Sequence, residues 1–145
     1  MAGHWCLNKY FMTKIESDKV EVACSGQVLF EFLSNLNNYQ KLMPPQVTDW
    51  QSETSECTFN LNGMAKINMR IIDKQPNHMI KINSFGKVPF DFSLEMKIED
   101  ISENTCSGQV VFLGDLNVMM KMMVEKPLTH FFNGLAQKMK DIHFT

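Results

Sequence analysis

The side chains that most often carry out chemistry are few in this chain and widely spaced. The sequence contains four histidines and four cysteines: His4, His78, His130, His143, Cys6, Cys24, Cys57 and Cys106. The histidines lack the HxxxH spacing of a metal site and the cysteines lack a CxxC pair. No GxSxG, HExxH, P-loop or GxGxxG motif is present. The sequence therefore predicts no catalytic residue and no metal site, and it implies no cofactor.

Methionine is the residue type whose spacing is most informative. Met119, Met120, Met122 and Met123 crowd the start of a predicted helix that runs to Ile142. Flexible, polarisable thioethers can line a pocket that adapts to an irregular apolar molecule. The same residues can equally fill a gap in a core or cover the end of the helix, and both interpretations stay open here. Tyr39 and Arg70 are candidates for polar contacts, although Arg70 alternates onto a polar strand face.

The apolar face of this long helix predicts what must surround it. At 100° per residue, one stripe about 100° wide contains Val124, Pro127, Leu128, Phe131, Leu135 and Ile142. Met123 and Phe132 widen that stripe to nearly half of the circumference. So broad a face needs a concave partner, and a curved antiparallel sheet can supply one. Such an arrangement readily encloses a pocket between sheet and helix.

The segments before the helix have the pattern of strands around one short helix. From Thr13 the chain alternates as a strand, and Ser25 is a candidate N-cap for a helix that begins near Val28. A meander of short strands follows Pro44-Pro45. Five apolar residues between Phe90 and Glu99 alternate with polar ones, as in a half-buried antiparallel strand. Because the strands are too close together for βαβ crossovers, the predicted class is α+β.

Composition limits the kind of protein. The chain has 145 residues, is 44% hydrophobic and 21% charged, and carries a net charge of −2. These values are typical of one globular domain, expected over residues 13–145, and argue against a nucleic-acid partner. No apolar run reaches the roughly 20 residues of a membrane span, and the N-terminus lacks a signal-peptide pattern, so we expect no stable membrane insertion and a cytoplasmic location. Residues 1–12 form either an N-terminal arm or a segment before an alternative start at Met12. We expect the cysteines to be free.

The order of elements and several local sequences resemble the START-like superfamily, the polyketide cyclase/dehydrase and lipid-transport group (SRPBCC). The resemblance covers Thr13 to about Ile142 and is most similar to a small, mostly uncharacterised bacterial branch. It rests on Thr13-Lys14-Ile15-Glu16-Ser17, residues 28–38, Leu42-Met43-Pro44, Trp50, residues 119–123 and Lys126-Pro127-Leu128. The resemblance implies a helix-grip fold, in which a curved sheet of six or seven antiparallel strands wraps around the C-terminal helix. It also implies an apolar or amphipathic ligand held between them.

The leading hypothesis is therefore a protein that binds a small hydrophobic molecule, such as a lipid, an isoprenoid quinone or a polyketide-like compound. The predicted cavity lining is Met69, Phe90, Phe92, Met96, Phe112, Met120, Met123, Val124 and Phe131, with a mouth near Leu42, Met43 and Val88. One alternative is an aromatase/cyclase-like enzyme on the same fold. Another is an interaction protein with a collapsed cavity and an exposed apolar patch, predicted near Trp5, Tyr10 and Phe11. The inward apolar faces favour binding over catalysis, and the oligomeric state is left open.

Overall fold

The computed structural model describes residues 12–63 and 65–142. Within these residues the chain forms eight strands, two α-helices and one 3-10 helix. The strands are β1 (Thr13–Glu16), β2 (Val20–Val22), β3 (Val47–Ser52), β4 (Glu56–Leu61), β5 (Ala65–Gln75), β6 (Met79–Ser84), β7 (Phe92–Ser102) and β8 (Thr105–Gly114). The helices are α1 (Gly26–Leu33), the 3-10 helix (Leu36–Leu42) and α2 (Val118–Asp141).

All strands join one curved antiparallel sheet, in the order β1-β8-β7-β6-β5-β4-β3, and β2 also pairs with β8. Long hairpins build most of this sheet, since each strand from β3 to β7 pairs with the next one along the chain. The α+β class and the helix-grip architecture are confirmed. The sheet has eight strands among the described residues, whereas six or seven were expected.

The additional strand results from a break at Ser17. The backbone N–H of Ser17 donates to the carbonyl of Val110 (2.9 Å), and the Ser17 hydroxyl accepts from the Val110 N–H (2.9 Å). Because the serine side chain replaces a backbone acceptor at this point, the segment leaves the ladder and returns as β2. The register then resumes with Val20 opposite Gly108.

The predicted cap at Ser25 is present, and Asn117 caps α2 in the same way. The Ser25 hydroxyl accepts from the Val28 N–H (3.2 Å), and the Asn117 side chain accepts from the Met120 N–H (2.8 Å). Each bond satisfies an N–H that the first turn of a helix leaves without an internal partner. These caps fix where α1 and α2 begin.

The second helix lies against β1, β2, β8 and the 3-10 helix. Its buried residues are Phe132, Leu135, Ala136 and Met139, all in its C-terminal half. Viewed down the helix axis, the centre of these buried residues lies about 70° away from the centre of the apolar stripe predicted from the sequence. Met139 comes within contact distance of the position that a Cβ on Gly108 would occupy, so the small residue in β8 allows this close approach.

Asn133 ties the same half of α2 to the break in the sheet. Its side-chain oxygen accepts from the Asp18 N–H (2.7 Å), directly after Ser17. The apolar side of the helix thus lies in the concave side of the sheet, as expected. Nothing is described for residues 1–11, Met64 and 143–145, so most of the predicted arm, the patch at Trp5, Tyr10 and Phe11, and Cys6, His4 and His143 lie outside the described residues.

Candidate functional site

A cavity of about 60 Å³ lies between the middle of the sheet and α2. Every described residue that lines it is apolar. The lining consists of Met43, Phe59, Leu61, Ile67, Met69, Phe90, Phe92, Leu94, Phe112, Leu128, Phe131, Phe132 and Leu135. The cavity is therefore a gap between sheet and helix, and the residues that the structure describes there place no polar atom on its wall.

Strand alternation places the sheet side of this lining. Every second residue of β4, β5 and β7 points to the concave face, and the register sets them side by side. Phe59 lies opposite Ile67, Cys57 opposite Met69, and Leu94 opposite Phe112. The helix closes the gap with Leu128, Phe131, Phe132 and Leu135, which recur at the three- and four-residue spacing of one helix side.

Five phenylalanine rings form the wall nearest the helix. The Phe112 ring is central, because its centroid lies 5.8 Å from that of Phe92, 6.1 Å from Phe90 and 5.3 Å from Phe132. Phe131 meets Phe132 edge-on at 5.5 Å. These separations fall within the range of favourable aromatic pairs, each of which contributes about 0.5–1.5 kcal/mol beyond area burial. The wall is therefore held mainly by ring packing.

Burial distinguishes the mouth of the cavity from its floor. Met43, Leu61, Phe90, Leu128 and Phe131 are half-buried, whereas the other lining residues are buried. The mouth thus lies where the 3-10 helix ends, where β4 ends, where the loop before β7 passes and where α2 emerges from the sheet. It is the side from which a molecule can enter.

The structure brings together five of the nine predicted lining residues: Met69, Phe90, Phe92, Phe112 and Phe131. Met96 is buried but lies in the core away from the cavity. Met120 and Val124 are half-buried against the core, and Met123 is 70% exposed. The three helix residues are not in the lining, because the cavity is enclosed by the middle of α2 from Leu128 onward.

Of the three residues predicted at the mouth, only Met43 lines the cavity. Met43 is at the mouth, but Leu42, the last residue of the 3-10 helix, is fully buried in the core. Val88 lies in a neighbouring surface hollow with Lys66, Lys87 and Pro89. It is two residues from Phe90, so its loop borders the mouth although its own side chain does not line the cavity.

Sequence reasoning missed the contribution of β4 and the start of β5. Phe59, Leu61 and Ile67 line the cavity, and their alternation with polar neighbours is visible in the sequence. That signal predicts an inward face, but it does not tell which part of the inward face borders a gap. Phe132 was assigned to the edge of the helix stripe, whereas it is 4% exposed and packs on Phe112.

Neither polar candidate reaches the cavity. Tyr39 is buried, and its hydroxyl donates to the Leu33 carbonyl (2.7 Å). Burial raises the pKa of Tyr39, and nearby Cys57 raises it further. Arg70 is exposed, and its guanidinium carbon lies 4.9 Å from the centroid of the Phe85 ring on the outer side of the sheet. Tyr39 is thus a structural anchor for the 3-10 helix, and Arg70 covers an outer aromatic ring.

The surroundings of the described cysteines are those of structural core residues. Cys24, Cys57 and Cys106 are free and buried, as predicted, and none of them lines the cavity. Burial raises the pKa of Cys57 to about 12 and that of Cys106 to about 12, so both are protonated at neutral pH. A nucleophilic cysteine needs the opposite shift.

The described residues show neither a metal-binding cluster nor a membrane-spanning helix. Over residues 12–63 and 65–142, no cluster of three or more His, Cys, Asp or Glu side chains is placed to hold a metal ion. No described helix is both long enough and apolar enough to cross a membrane.

The curved sheet, the enclosed C-terminal helix and the gap between them define the helix-grip fold of START-like proteins. No family model matches the chain, and no curated protein matches its sequence. The resemblance stated from the sequence is therefore confirmed through solved structures, at the level of the fold.

One similar structure is a START superfamily protein from Mycobacterium smegmatis, with a TM-score of 0.66 and 14% identity over 90% of this chain and 99% of that one. The ZhuI aromatase/cyclase from Streptomyces sp. R1128 gives 0.64 at 13% identity, covering 91% and 96%. Norcoclaurine synthase from Thalictrum flavum, in complex with dopamine and hydroxybenzaldehyde, gives 0.64 at 10% identity, covering 96% and 94%. Identities this low support a shared fold. The activity must be argued from the site itself.

Proposed function

We propose that the protein binds a small hydrophobic molecule in the cavity between sheet and α2, and that it does so in the cytoplasm. The observation that carries the proposal is the wholly apolar lining, which opens on one side through the half-buried residues at the mouth. A lipid chain, an isoprenoid or a polyketide-like ring system can be transferred to such a wall without losing hydrogen bonds to water.

The volume sets a condition on this binding. Ligand pockets typically measure about 300–1,000 Å³, whereas this cavity measures about 60 Å³. A ligand must therefore widen the cavity. The N-terminal half of α2 is the element best suited to move, since none of its residues from Val118 to Phe131 is fully buried. Segments with few buried apolar contacts open at the lowest free-energy cost.

A panel of lipids, quinones and aromatic polyketide-like compounds tests the proposal by thermal denaturation. A ligand that binds only the folded state at 100 times its Kd adds about 2.7 kcal/mol of stability. For a domain of this size that corresponds to a rise in Tm of roughly 5–11 °C. Native mass spectrometry of protein purified from its own host should show the bound molecule directly.

A pair of matched variants makes the test specific to the mouth. Leu128→Trp places a large ring at the half-buried entrance and should abolish the ligand-induced rise in Tm. Ile101→Trp places the same ring on an exposed position near the end of β7 and should leave the rise unchanged. The absence of any shift across the panel, together with no co-purified molecule, would refute ligand binding.

The second candidate function is an interaction module with a self-filled cavity, which the small cavity volume favours. Under this alternative no ligand raises the Tm, and the protein acts through its surface alone. We do not propose the cyclase-like enzyme, because general acid–base catalysis requires a titratable group within reach of the reacting atoms, and the described residues of the lining include none.

A further inference from the structure

The first two turns of α2, residues 118–124, form what we call the methionine tip. Its residues Val118, Met119, Met122 and Met123 are 77%, 72%, 81% and 70% exposed, more than any other large apolar side chain that the structure describes. At 100° per residue these four occupy an arc about 140° wide, on the opposite side from half-buried Met120 and Val124. The outer face of a surface helix normally carries polar and charged side chains. The methionine tip is instead apolar on both sides.

The methionine tip lies beside the cavity mouth. Val124, its last residue, is four residues, about 6 Å along the helix axis, before Leu128 at the mouth. The loop that carries Phe90 is tied to the segment leading into α2, because the Asp115 N–H donates to the Asp91 carbonyl (2.9 Å). Methionine tip, mouth and loop therefore share one end of the molecule.

Exposed charges lie within the methionine tip, directly after it, and in the hollow beside the mouth. This end carries the lysines Lys66, Lys87, Lys121 and Lys126 and the carboxylates Asp91, Asp115 and Glu125. Lys121 forms an exposed ion pair with Glu125 (3.8 Å), while Lys66 and Lys87 line the hollow beside the mouth. Ammonium groups around an apolar projection match the arrangement of lipid phosphates above acyl chains. The neighbouring carboxylates offset much of this positive charge. Apolar contact therefore contributes more to lipid binding than electrostatic attraction does.

The size of the methionine tip argues against a second copy of the chain as its partner. Seven residues of helix extend about 10 Å. A stable protein interface buries about 800 Å² per partner and engages roughly 20–30 residues on each side. Seven residues supply only a fraction of that area. A lipid surface sets no such minimum, since it accepts an apolar projection of any size.

We propose that the methionine tip docks reversibly on the surface of a lipid bilayer, with Met119, Met122 and Met123 at the boundary between headgroups and acyl chains. The docked orientation turns the mouth of the cavity toward the lipid. This docking goes beyond ligand binding and does not require it, because the methionine tip residues do not line the cavity. Hydrophobic ligands would then reach the mouth without crossing water.

Flotation of the full chain with vesicles of phosphatidylcholine and phosphatidylglycerol tests the proposal. The wild type should float with the vesicles. Met122→Gln and Met123→Gln, which keep length and helix propensity, should each lower the partition coefficient about tenfold. Ile101→Gln changes an exposed apolar residue outside the methionine tip and should float as the wild type does. An unchanged Tm in each glutamine variant separates lost docking from lost folding.

Three results would overturn the docking: no flotation of the wild type, equal flotation of the glutamine variants, or a dimer in light scattering that the same variants dissociate. The last result would assign the methionine tip to a second copy. The ligand-induced rise in Tm is measured separately, without vesicles, and tests only the proposed cavity function. Loss of vesicle binding alone contradicts only the docking, and loss of the rise in Tm alone contradicts only the proposed cavity function.

Discussion

Phe112→Ala offers the sharpest test of the cavity, because Phe112 is both buried and central. Its ring is 2% exposed and contacts the rings of Phe90, Phe92 and Phe132. Removing it opens about 100 Å³, which at about 24 cal/mol per Å³ costs roughly 2.4 kcal/mol in addition to the lost transfer free energy. We expect the free energy of unfolding to fall by about 3–5 kcal/mol, the usual range for this substitution in a core.

The same variant should gain a response to benzene. The new space joins a gap whose wall is already apolar, and dry cavities of about 150 Å³ with such walls bind benzene. At ten times its Kd, benzene should add about 1.4 kcal/mol, or roughly 3–6 °C in Tm. Urea unfolding and thermal scans with and without benzene measure both effects.

The matched control for benzene binding is Leu33→Ala. Leu33, the last residue of α1, is 1% exposed and does not line the cavity. This variant should lose about 2–5 kcal/mol without gaining a comparable benzene response. If benzene raises the Tm of Leu33→Ala as much as that of Phe112→Ala, or raises neither, the cavity described here is not the space that accepts apolar molecules.

Three further predictions concern single contacts. Gly114→Ala brings a Cβ against the Phe112 ring and should lower the free energy of unfolding by about 1–3 kcal/mol. In the Gly114→Ala/Phe112→Ala double variant the ring that the Cβ meets is gone. Urea unfolding should therefore show that the two effects are not additive. Gly26→Ala places a Cβ against the Asp100 carboxylate that accepts the Gly26 N–H (3.0 Å); a loss of about 1–3 kcal/mol is expected, and an unchanged urea midpoint would contradict this contact. Burial raises the pKa of Cys57 from 9.0 to about 12, so above pH 9 the unfolded chain releases a proton that the folded chain retains. The free energy of unfolding is therefore unaffected by this thiol below pH 9, and between pH 9 and 12 the thiol alone lowers it by up to about 1.4 kcal/mol per pH unit. Denaturant midpoints measured across this range should fall less steeply with pH in Cys57→Val than in the wild type. Equal slopes would contradict the burial effect.

Local features of the fold were predictable from the sequence. The alternation from Phe92 to Ile98 predicts an inward strand face, and these residues are buried as expected. Ser25 and Asn117 were identifiable as caps, because a cap depends on one side chain and an N–H three residues away. Both kinds of signal arise from contacts over a few residues, which a single sequence contains in full.

The candidate site was only partly predictable. Met69, Phe92 and Phe112 border the cavity, since each lies on an inward strand face that the sequence pattern predicts. Phe59 was not selected, although it faces the same way. Alternation assigns a residue to a face, but the location of a gap on that face depends on which strands lie under which turn of the helix.

Sequence alone thus determined that strands of alternating polarity and one long apolar helix must pack together. Tertiary structure decided how. Asn133 and Met139 fix the rotation of α2 through contacts with Asp18 and Gly108, which are distant in sequence. The methionines at residues 119, 122 and 123 consequently lie in solvent, because the helix extends beyond the part of the sheet that buries it. Periodicity records which side chains avoid water, whereas only the packed chain determines how much apolar surface the sheet has room to cover.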